Sequence, residues 1–392
     1  MKLSSADRSL VWLISRAYPP AAKAEPAPSK DVDWVSVIAR AERQGLAPLL
    51  FDSMKKADRL RELPPQALTD FRRAYLGSAN RSEENFIELA ALLSALAEAR
   101  IPVILLKGAA LAPTLYERIA QRPMCDLDLL IPKTALSGFA TIMAERGFVG
   151  DHNLGRGFEE EYRSQMCYRR PGVSRLMVEP HWHLFETPYY AEKIPVEWFW
   201  ERTVPVEIRG REARMLSPTA ALLHLAAHYY VHHKGIGLRP LYDLARLLSM
   251  RAEQIDGQAL TEASRNFGLL FAVQSALLEA AAIWQFPLPE HFSLTADRAG
   301  GIPPADLMVS SRYLHHIRDW VGVAGWKARL KYLGKLFFPG LEYLRERYGM
   351  RNNRLAGFYY AYRVFRGLIA VPGMLLAFLR RYNDLRREKE LG

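Results

Sequence analysis

Two aspartates separated by one residue, Asp126 and Asp128, are the feature that most constrains the fold of this chain. They follow an apolar run, residues 103–106, which predicts a buried strand ending at a Lys-Gly pair, and then a segment with helical spacing. The aspartates lie in a second predicted strand, along which side chains alternate between the two faces. Both carboxylates are therefore expected on one face of a strand within an apolar core.

Two carboxylates held this close are unfavourable unless a cation lies between them. Like charges repel, so each carboxylate raises the pKa of the other. A divalent cation offsets that repulsion, and Mg²⁺ binds carboxylate oxygens. The Asp-Leu-Asp pattern therefore predicts a divalent-metal site, and the alternative is a solvent-facing strand edge.

The order of parts, strand, Lys-Gly turn, helix and Asp-x-Asp strand, resembles the nucleotidyltransferase superfold of the DNA polymerase β type. In that superfold a glycine turn holds the triphosphate and the Asp-x-Asp strand holds Mg²⁺. More closely, the segments 106–111 (LKGAAL) and 122–130 (RPMCDLDLL) resemble an uncharacterised bacterial nucleotidyltransferase family, often encoded beside exopolysaccharide and peptide-tailoring genes. The resemblance covers most of the chain and is strongest between residues 103 and 245.

The resemblance implies an α+β fold, with a small mixed-sheet nucleotidyltransferase core flanked by N-terminal and C-terminal helical regions. It also implies that Asp126, Asp128 and Glu179 are catalytic and hold the metal, two Mg²⁺ ions. Glu179 lies in the segment 174–183, SRLMVEPHWH, which resembles the third acidic strand of the family. Pro180 donates no ladder hydrogen bond, so this strand is expected at a sheet edge or to end there. The alternative role for the glutamate is an exposed edge-strand residue.

The Lys-Gly turn is the predicted nucleotide-binding element. Pro113 is tolerated in the following helix only within its first turn, so the helix is expected to begin at the glycine turn. Free amides and the positive end of the helix dipole would then face a triphosphate above Gly108, with Lys107 and Arg122 adding charge. The family usually has Gly-Ser or Gly-Gly here, so Ala109 leaves only backbone donors. The alternative for the lysine is a surface residue that ends a strand.

Several histidines and one Arg-Asp pair are further candidates for a substrate cleft. By strand alternation His181 and His183 share the face of Glu179, although a structural role for both is the favoured alternative. Arg239 and Asp243 are spaced to pair across one helical turn. Together with His228 they could face the cleft, and a buried structural pair is the favoured alternative.

The helix that carries His228 also carries His224 and His232, at intervals of four residues. Two histidines at this spacing can bind zinc, but no nearby carboxylate or cysteine completes a ligand set. A zinc site is therefore not expected on this helix.

Periodicity predicts other elements of the chain. Apolar residues recur at helical spacing in four segments: 34–45, 65–76, 81–100 and 134–146. Residues 195–214 are typical of a hairpin with Arg209-Gly210 at its turn, and Ser217-Pro218 predicts a helix N-cap followed by a proline at the first helical position.

A chain of 392 residues exceeds one ordinary core, so two or three domains are expected, and we divide the chain into three. They are an N-terminal helical cap (1–85), a nucleotidyltransferase core (86–215) and a C-terminal helical domain with a basic tail (216–392). The two cysteines are too few for a disulfide framework and fit a reducing cytoplasm. Charged residues interrupt the N-terminal segment where a signal peptide needs an apolar centre, so a cytoplasmic location is expected.

The net charge of +11 is concentrated after residue 311, where 17 Lys and Arg face 6 Asp and Glu. Such a region suits a polyanion, a phosphorylated substrate or an anionic membrane reached peripherally from the cytoplasm, and a solvated basic face is an equal alternative. The apolar run 367–379 is too short to span a bilayer. It could lie in a membrane interface, and burial against the domain is slightly favoured. Nucleic acid is less favoured, because the aromatics at 359–365 have the spacing of a helix packing face.

The sequence thus predicts a Mg²⁺-dependent nucleotidyltransferase. It would move a nucleoside monophosphate from a nucleoside triphosphate to a hydroxyl or phosphate acceptor and release pyrophosphate, in polysaccharide or natural-product biosynthesis. One alternative is a non-catalytic nucleotide-binding or nucleic-acid-binding module with the same fold. Another is a protein-modifying, antitoxin-like nucleotidyltransferase. The sequence identifies neither the base nor the acceptor.

Overall fold

The computed structural model describes residues 3–15, 17, 32–150, 163–172, 176–185, 188–233, 235–286, 288, 320, 323 and 325–390. The helices that it describes are α1 (Ser5–Ser15), α2 (Trp34–Arg43), α3 (Ala47–Lys56), α4 (Pro65–Glu98), α5 (Lys107–Leu115), α6 (Leu136–Glu145), α7 (Pro188–Lys193), α8 (Glu197–Glu201), α9 (Pro218–Val231), α10 (Leu238–Arg251), α11 (Gly257–Asn266), α12 (Leu270–Trp284), α13 (Trp326–Phe337), α14 (Leu341–Tyr348) and α15 (Ala356–Glu390). The strands are β1 (Ile104–Leu105), β2 (Asp126–Leu130), β3 (Val149–Gly150), β4 (Tyr168–Arg169), β5 (Met177–His181), β6 (Thr203–Ile208) and β7 (Arg211–Leu216).

The strands form one mixed sheet in the order β3-β4-β5-β2-β1-β7-β6. Strand β1 lies near its centre, antiparallel to β2 and parallel to β7. It is shorter than the predicted run 103–106, but both of its residues, Ile104 and Leu105, are fully buried. A small mixed sheet with helices before and after it confirms the predicted α+β class.

Several local predictions are confirmed by the backbone and its caps. Helix α2 begins at Trp34, as predicted, with the Asp33 side chain as its cap, and α6 lies within the predicted segment 134–146 and is followed by Gly147 in the left-handed region. Arg209 and Gly210 join β6 to β7 with φ angles of +50° and +76°, as a two-residue type I′ hairpin requires. The Ser217 side chain accepts a hydrogen bond from the Ala220 amide in the first turn of α9.

Helix α4 is one continuous helix, whereas the sequence predicted two, 65–76 and 81–100. The intervening Gly77 does not interrupt it, because one interior glycine costs only about 1 kcal/mol. The buried Ser78 hydroxyl donates to the Ala120 carbonyl at 2.8 Å, which anchors this part of the helix.

Strand β5 lies inside the sheet, between β4 and β2, so the expectation that it is an edge strand is wrong. Pro180 lacks an amide hydrogen, but its carbonyl accepts a hydrogen bond from the Met166 amide at 3.1 Å. Two residues further on, the Trp182 amide donates to the Ser164 carbonyl at 2.9 Å. The proline therefore removes one donor from the ladder without ending the pairing.

The chain divides into two compact units. The first comprises Met1–Phe148, Arg169–Glu179 and Glu197–Ala296, and the second comprises Val149–Tyr168, Pro180–Val196 and Asp297–Gly392. The three domain boundaries expected from the sequence stay a prediction.

The C-terminal helix α15 contains the apolar run 367–379 and passes through Pro372. Burial of this run was the favoured expectation, and it is wrong for the side chains that the structure describes. Leu368 and Ile369 are 65% and 61% exposed, and Leu376 and Leu379 are about half exposed. In the part of the chain that is described, no helix is long and apolar enough to cross a membrane.

Candidate active site

Strand β2 places Asp126 and Asp128 beside the start of α5. Asp128 is buried, with 2% of its surface exposed, and Asp126 is half-buried. The Lys107 ammonium donates a hydrogen bond to Asp128 Oδ1 at 2.9 Å. The backbone supports this arrangement, because the Leu106 amide donates to the Asp128 carbonyl at 3.0 Å where β1 ends. The predicted Lys-Gly turn and Asp-x-Asp strand are thus in direct contact.

Lys107 adopts a backbone conformation that is uncommon for a residue other than glycine. Its φ angle is +41°, at the point where the chain leaves β1 and enters α5. A non-glycine residue in this region costs of order 1–3 kcal/mol and persists only where its surroundings hold it. The ion pair with Asp128 is the contact that holds the side chain in place here.

The charges of three carboxylates act on this lysine. Burial alone would lower the pKa of Lys107, but the charges of Asp128, Asp126 and Glu179 outweigh it and raise that pKa. For Asp126, burial and then the charge of Asp128 raise the pKa, although Lys107, Arg122 and Arg239 oppose them. The net shift upward shows that the carboxylates here disfavour one another's charge, an environment that favours an additional cation.

Asp128 and Glu179 offer carboxylate oxygens within 4.8 Å of each other. His181, two residues beyond Glu179 in β5, is buried and joins them as a third candidate metal ligand. Asp126 is not in this group among the described residues, although its charge acts on Lys107. The carboxylate oxygens suit Mg²⁺ or Mn²⁺, and an imidazole nitrogen suits softer divalent metals. The residues therefore fit a divalent ion, and the ligand role of Asp126 stays a prediction.

Arg122 is held by an ion pair that sequence spacing did not predict. Its Nε and Nη2 atoms donate to the two carboxylate oxygens of Asp243 at 3.0 and 2.9 Å, and both residues are buried. The Tyr116 hydroxyl donates to the same carboxylate at 2.6 Å. The predicted pairing of Arg239 with Asp243 is therefore wrong. Arg239 instead donates from Nη1 to the Pro123 carbonyl at 3.1 Å.

Burial and contact with Asp243 shift the pKa values of Arg122 and Tyr116. Burial disfavours the charge of Arg122, but Asp243 outweighs that effect and raises the pKa of the guanidinium. Burial and then the Asp243 charge raise the pKa of Tyr116, so its hydroxyl remains a donor. The sequence offered one signal for Arg122, its place just before the Asp-x-Asp strand, and none for Tyr116.

Gly108 allows Arg122 to lie directly against the turn. A Cβ atom at position 108 would lie 2.6 Å from Arg122 Nη1 and 3.1 Å from Met124 Sδ. The guanidinium cannot easily move away, because Asp243 holds it through two hydrogen bonds. The next residue, Ala109, has its methyl group fully buried, so only its backbone amide can reach a ligand at this turn.

Helix α5 begins at Lys107, as predicted, but the position of its proline differs from the expectation. Pro113 is the seventh of nine helical residues and so lies beyond the first turn. It removes the one hydrogen bond that an amide at position 113 would donate to the Ala109 carbonyl, and the helix ends two residues later. The N-terminus of α5 therefore still presents its first amides at the glycine turn.

Two of the candidate histidines, His228 and His183, lie in different environments. His228 on α9 is within reach of the Lys107 charge: burial first, and then that charge and the neighbouring histidines, lower its pKa well below the usual value, so the ring is neutral. It stacks on His232 with ring centroids 4.5 Å apart. His183 is structural, since its Nε2 donates to the Ile194 carbonyl at 2.8 Å and its Nδ1 accepts from the Phe185 amide.

These elements define a nucleotidyltransferase class of site: a mixed sheet, an Asp-x-Asp strand and a glycine turn at a helix N-terminus. A family model described as uncharacterised nucleotidyltransferase matches residues 30–285. The chain therefore belongs to this nucleotidyltransferase family, which confirms the family and the enzyme class expected from the sequence. No curated protein matches it.

Two solved structures are similar to parts of the chain. One is an antigenic nucleotidyltransferase-like protein from Paracoccidioides brasiliensis, with a TM-score of 0.37 and 17% identity, covering 53% of this chain and 95% of that chain. The other is the antibiotic-resistance factor ANT(2'')-Ia, with a TM-score of 0.35 and 16% identity, covering 51% of this chain and 98% of that chain.

Proposed function

We propose that the protein is a Mg²⁺-dependent enzyme that transfers a nucleoside monophosphate from a nucleoside triphosphate to a hydroxyl or phosphate acceptor. The acceptor oxygen bonds to the α-phosphorus, the bond from that phosphorus to the bridging oxygen breaks, and pyrophosphate leaves. The observation that carries the proposal is the set of three carboxylates around Lys107 at the N-terminus of α5. Such a set suits both a divalent metal and the phosphates bound to it.

In this proposal Asp126, Asp128 and Glu179 hold two Mg²⁺ ions, with His181 as a further ligand beside Glu179. The ions would neutralise phosphate charge and favour ionisation of the acceptor hydroxyl. The side chain of Lys107 is 17% exposed, so its ammonium can contact a phosphate while it stays paired with Asp128.

The α5 N-terminus supplies the remaining phosphate contacts in the proposal. The backbone amides of Gly108 and Ala109 lie in the first turn, where the helix dipole favours an anion. Arg122 adds positive charge from behind the turn, because its guanidinium lies against Gly108. His228 is neutral and within reach of the Lys107 charge, so it is a candidate contact for the nucleotide or the acceptor.

The family that the chain resembles is often encoded beside exopolysaccharide and peptide-tailoring genes, which supports an acceptor in polysaccharide or natural-product biosynthesis, in the cytoplasm. Two alternatives predict different products. A protein-modifying transferase would leave the labelled nucleotide on a polypeptide. A non-catalytic module would bind the triphosphate and release no pyrophosphate.

The test is incubation of the protein with each α-labelled triphosphate and Mg²⁺ or Mn²⁺, followed by pyrophosphate detection and mass analysis of the labelled products. Glu179→Gln should lower the rate of the chemical step far more than triphosphate affinity, because Lys107 and the aspartates remain. Glu253→Gln, which changes an exposed acid elsewhere in the first unit, is the matched control. Metal-independent triphosphate binding without pyrophosphate release would contradict the proposal.

A further inference from the structure

Helix α15 has one face that packs against its neighbours α13 and α14. On this face the Tyr360 hydroxyl donates to the Pro339 carbonyl at 3.0 Å. Arg363 donates to two tyrosine hydroxyls on or at the end of α14, at 3.2 and 3.1 Å, and to the Leu336 carbonyl. Gly367 lies so close to α13 that a Cβ there would be 2.8 Å from the Phe337 ring. The packed face is thus marked by residues three and four positions apart.

The opposite face of α15 is apolar and exposed. Its members recur at helical spacing, about half a turn from the packed residues. We name it the exposed stripe, and it consists of Phe358, Tyr362, Phe365, Ile369, Leu376 and Leu379. Phe358 is 69% exposed, and Phe365 and Ile369 are each 61% exposed. The stripe spans 22 residues of helix, or about 30 Å.

Scattered exposed apolar side chains are normal on a protein surface, but six at helical spacing along one face are not. Helices α13 and α14 leave most of this face uncovered, because they pack on the other face through Tyr360, Arg363 and Gly367. Of the stripe, Tyr362 also contacts α14, with its ring centroid 6.1 Å from that of Tyr348, and it is still 40% exposed. The exposed stripe is therefore a largely uncovered surface of the second unit in the described part of the chain.

The charge around the exposed stripe indicates which partner it fits. The region after residue 311 holds the whole net charge of the chain, +11. The basic side chains of this region that the structure describes as exposed are Lys327, Lys331, Arg345, Arg347, Arg351, Arg354 and Arg366. Four more arginines follow on α15 at positions 380, 381, 386 and 387, where side chains lie outside the described part. A helix with an apolar face in such basic surroundings is typical of one that lies in the plane of an anionic membrane.

We propose that α15 docks in the interface of an anionic membrane, with the exposed stripe among the acyl chains and the basic residues at the headgroups. A second copy of the chain fits less well, because two such faces would bring two regions of +11 together. A nucleic acid also fits less well, because half of the stripe is aliphatic and offers no ring on which a base can stack. The proposal does not depend on the transfer reaction.

The test is flotation of the full chain with vesicles of phosphatidylcholine alone and with vesicles that also contain phosphatidylserine. We expect binding to the anionic vesicles only, and a decrease with added salt, since the screening length shortens to about 8 Å at physiological ionic strength. The double variant Phe365→Gln/Ile369→Gln should bind the anionic vesicles with an affinity lower by about tenfold or more, because two large apolar side chains no longer enter the membrane. Its circular dichroism and triphosphate turnover should match the wild type, since both side chains are exposed and outside the proposed catalytic site.

The matched control is Ile87→Gln, which removes an apolar side chain that is 52% exposed on α4 and should not change flotation. Equal flotation of the double variant and the wild type would overturn the proposal. Equal binding to the two kinds of vesicle would overturn the part assigned to charge. The membrane proposal would also be rejected if the wild type does not float. If that wild type is a dimer and the double variant is a monomer, the exposed stripe binds a second copy of the chain instead.

Discussion

Two ion pairs of the first unit, Arg122–Asp243 and Lys107–Asp128, each have a buried carboxylate, and they differ in the charges around them. In the Arg122–Asp243 pair, two guanidinium nitrogens meet two carboxylate oxygens, and the Tyr116 hydroxyl also donates to the carboxylate. In the Lys107–Asp128 pair a single hydrogen bond of 2.9 Å joins one ammonium to one carboxylate, and Asp126 and Glu179 add further negative charge. In the first pair donors and acceptors are matched, whereas in the second the charges of three carboxylates act on one ammonium.

The difference indicates which pair stabilises the fold and which takes part in the reaction. A buried pair whose donors and acceptors are matched holds two segments together and has little to offer a ligand. A buried cluster with an excess of one charge is costly to keep, and such clusters are concentrated at functional sites. We therefore assign Arg122–Asp243 to support of the glycine turn, and the acids around Lys107 to the metal and the phosphates.

The largest expected effect is on activity, in Asp128→Asn. We expect triphosphate turnover to fall by about 10³-fold or more, since a metal ligand and the partner of Lys107 are lost together. The free energy of unfolding should fall by only about 1–2 kcal/mol, because Asp126 and Glu179 still offset the lysine charge. Turnover is measured by pyrophosphate release, and stability by urea denaturation. Full turnover in this variant would reject the metal assignment.

The converse is expected in Asp243→Asn, where stability changes most. Removing one charge leaves Arg122 buried without its partner, and such losses cost about 3–5 kcal/mol. Urea denaturation of this variant beside Glu253→Gln, the exposed control, measures the difference. A loss below about 1 kcal/mol would show that the two ion pairs are energetically alike, contrary to the distinction drawn from their geometry.

A smaller effect is expected from Gly108→Ala, which tests whether the two pairs are coupled through the turn. The new methyl group meets Arg122 Nη1 and Met124 Sδ, so we expect a loss of about 1–3 kcal/mol in unfolding free energy. Triphosphate affinity should also weaken, because the turn must shift. Gly334→Ala adds a methyl group with no atom within 4 Å and is the control. Unchanged affinity would separate the turn from the phosphate site.

Sequence reasoning located the elements of the site better than the partners of its side chains. The strand with Asp126 and Asp128 and the turn at Lys107 were predictable, because alternation and glycine are local signals. The pairing of Arg122 with Asp243 was not, because 121 residues separate them and spacing within one helix favoured Arg239 instead.

For the fold, too, features that depend on neighbouring residues were predictable, and features that depend on distant elements were not. The hairpin turn at Arg209 and the N-cap at Ser217 depend on neighbouring residues and were predicted correctly. The interior place of β5 depends on β4, a strand of two residues with little signal of its own. The exposure of Ile369 depends on which face of α15 its neighbours occupy, and an apolar run does not specify that.

The smallest effect is expected in Asp126→Asn, which tests directly whether the carboxylates around Lys107 repel one another. Burial and the charge of Asp128 raise the pKa of Asp126 in the folded state above its usual 3.8. The folded protein therefore binds this proton more tightly than the unfolded chain does. Above the folded pKa the ionised carboxylate lowers stability, whereas below the unfolded pKa it makes no such contribution. At pH 7 the asparagine variant should thus be more stable than the wild type, by about 1 kcal/mol or less.

This gain should shrink as the pH falls through the folded pKa of Asp126, and it should vanish below 3.8, where the wild-type carboxyl group is protonated in both states. Urea denaturation of both proteins between pH 7 and pH 4, without divalent metal, measures it. Added Mg²⁺ should reverse the order at pH 7, because the cation stabilises the wild type through the acid that the variant lacks. A variant that is less stable than the wild type in metal-free buffer at pH 7 would show that the acids around Lys107 are balanced, like the pair at Asp243.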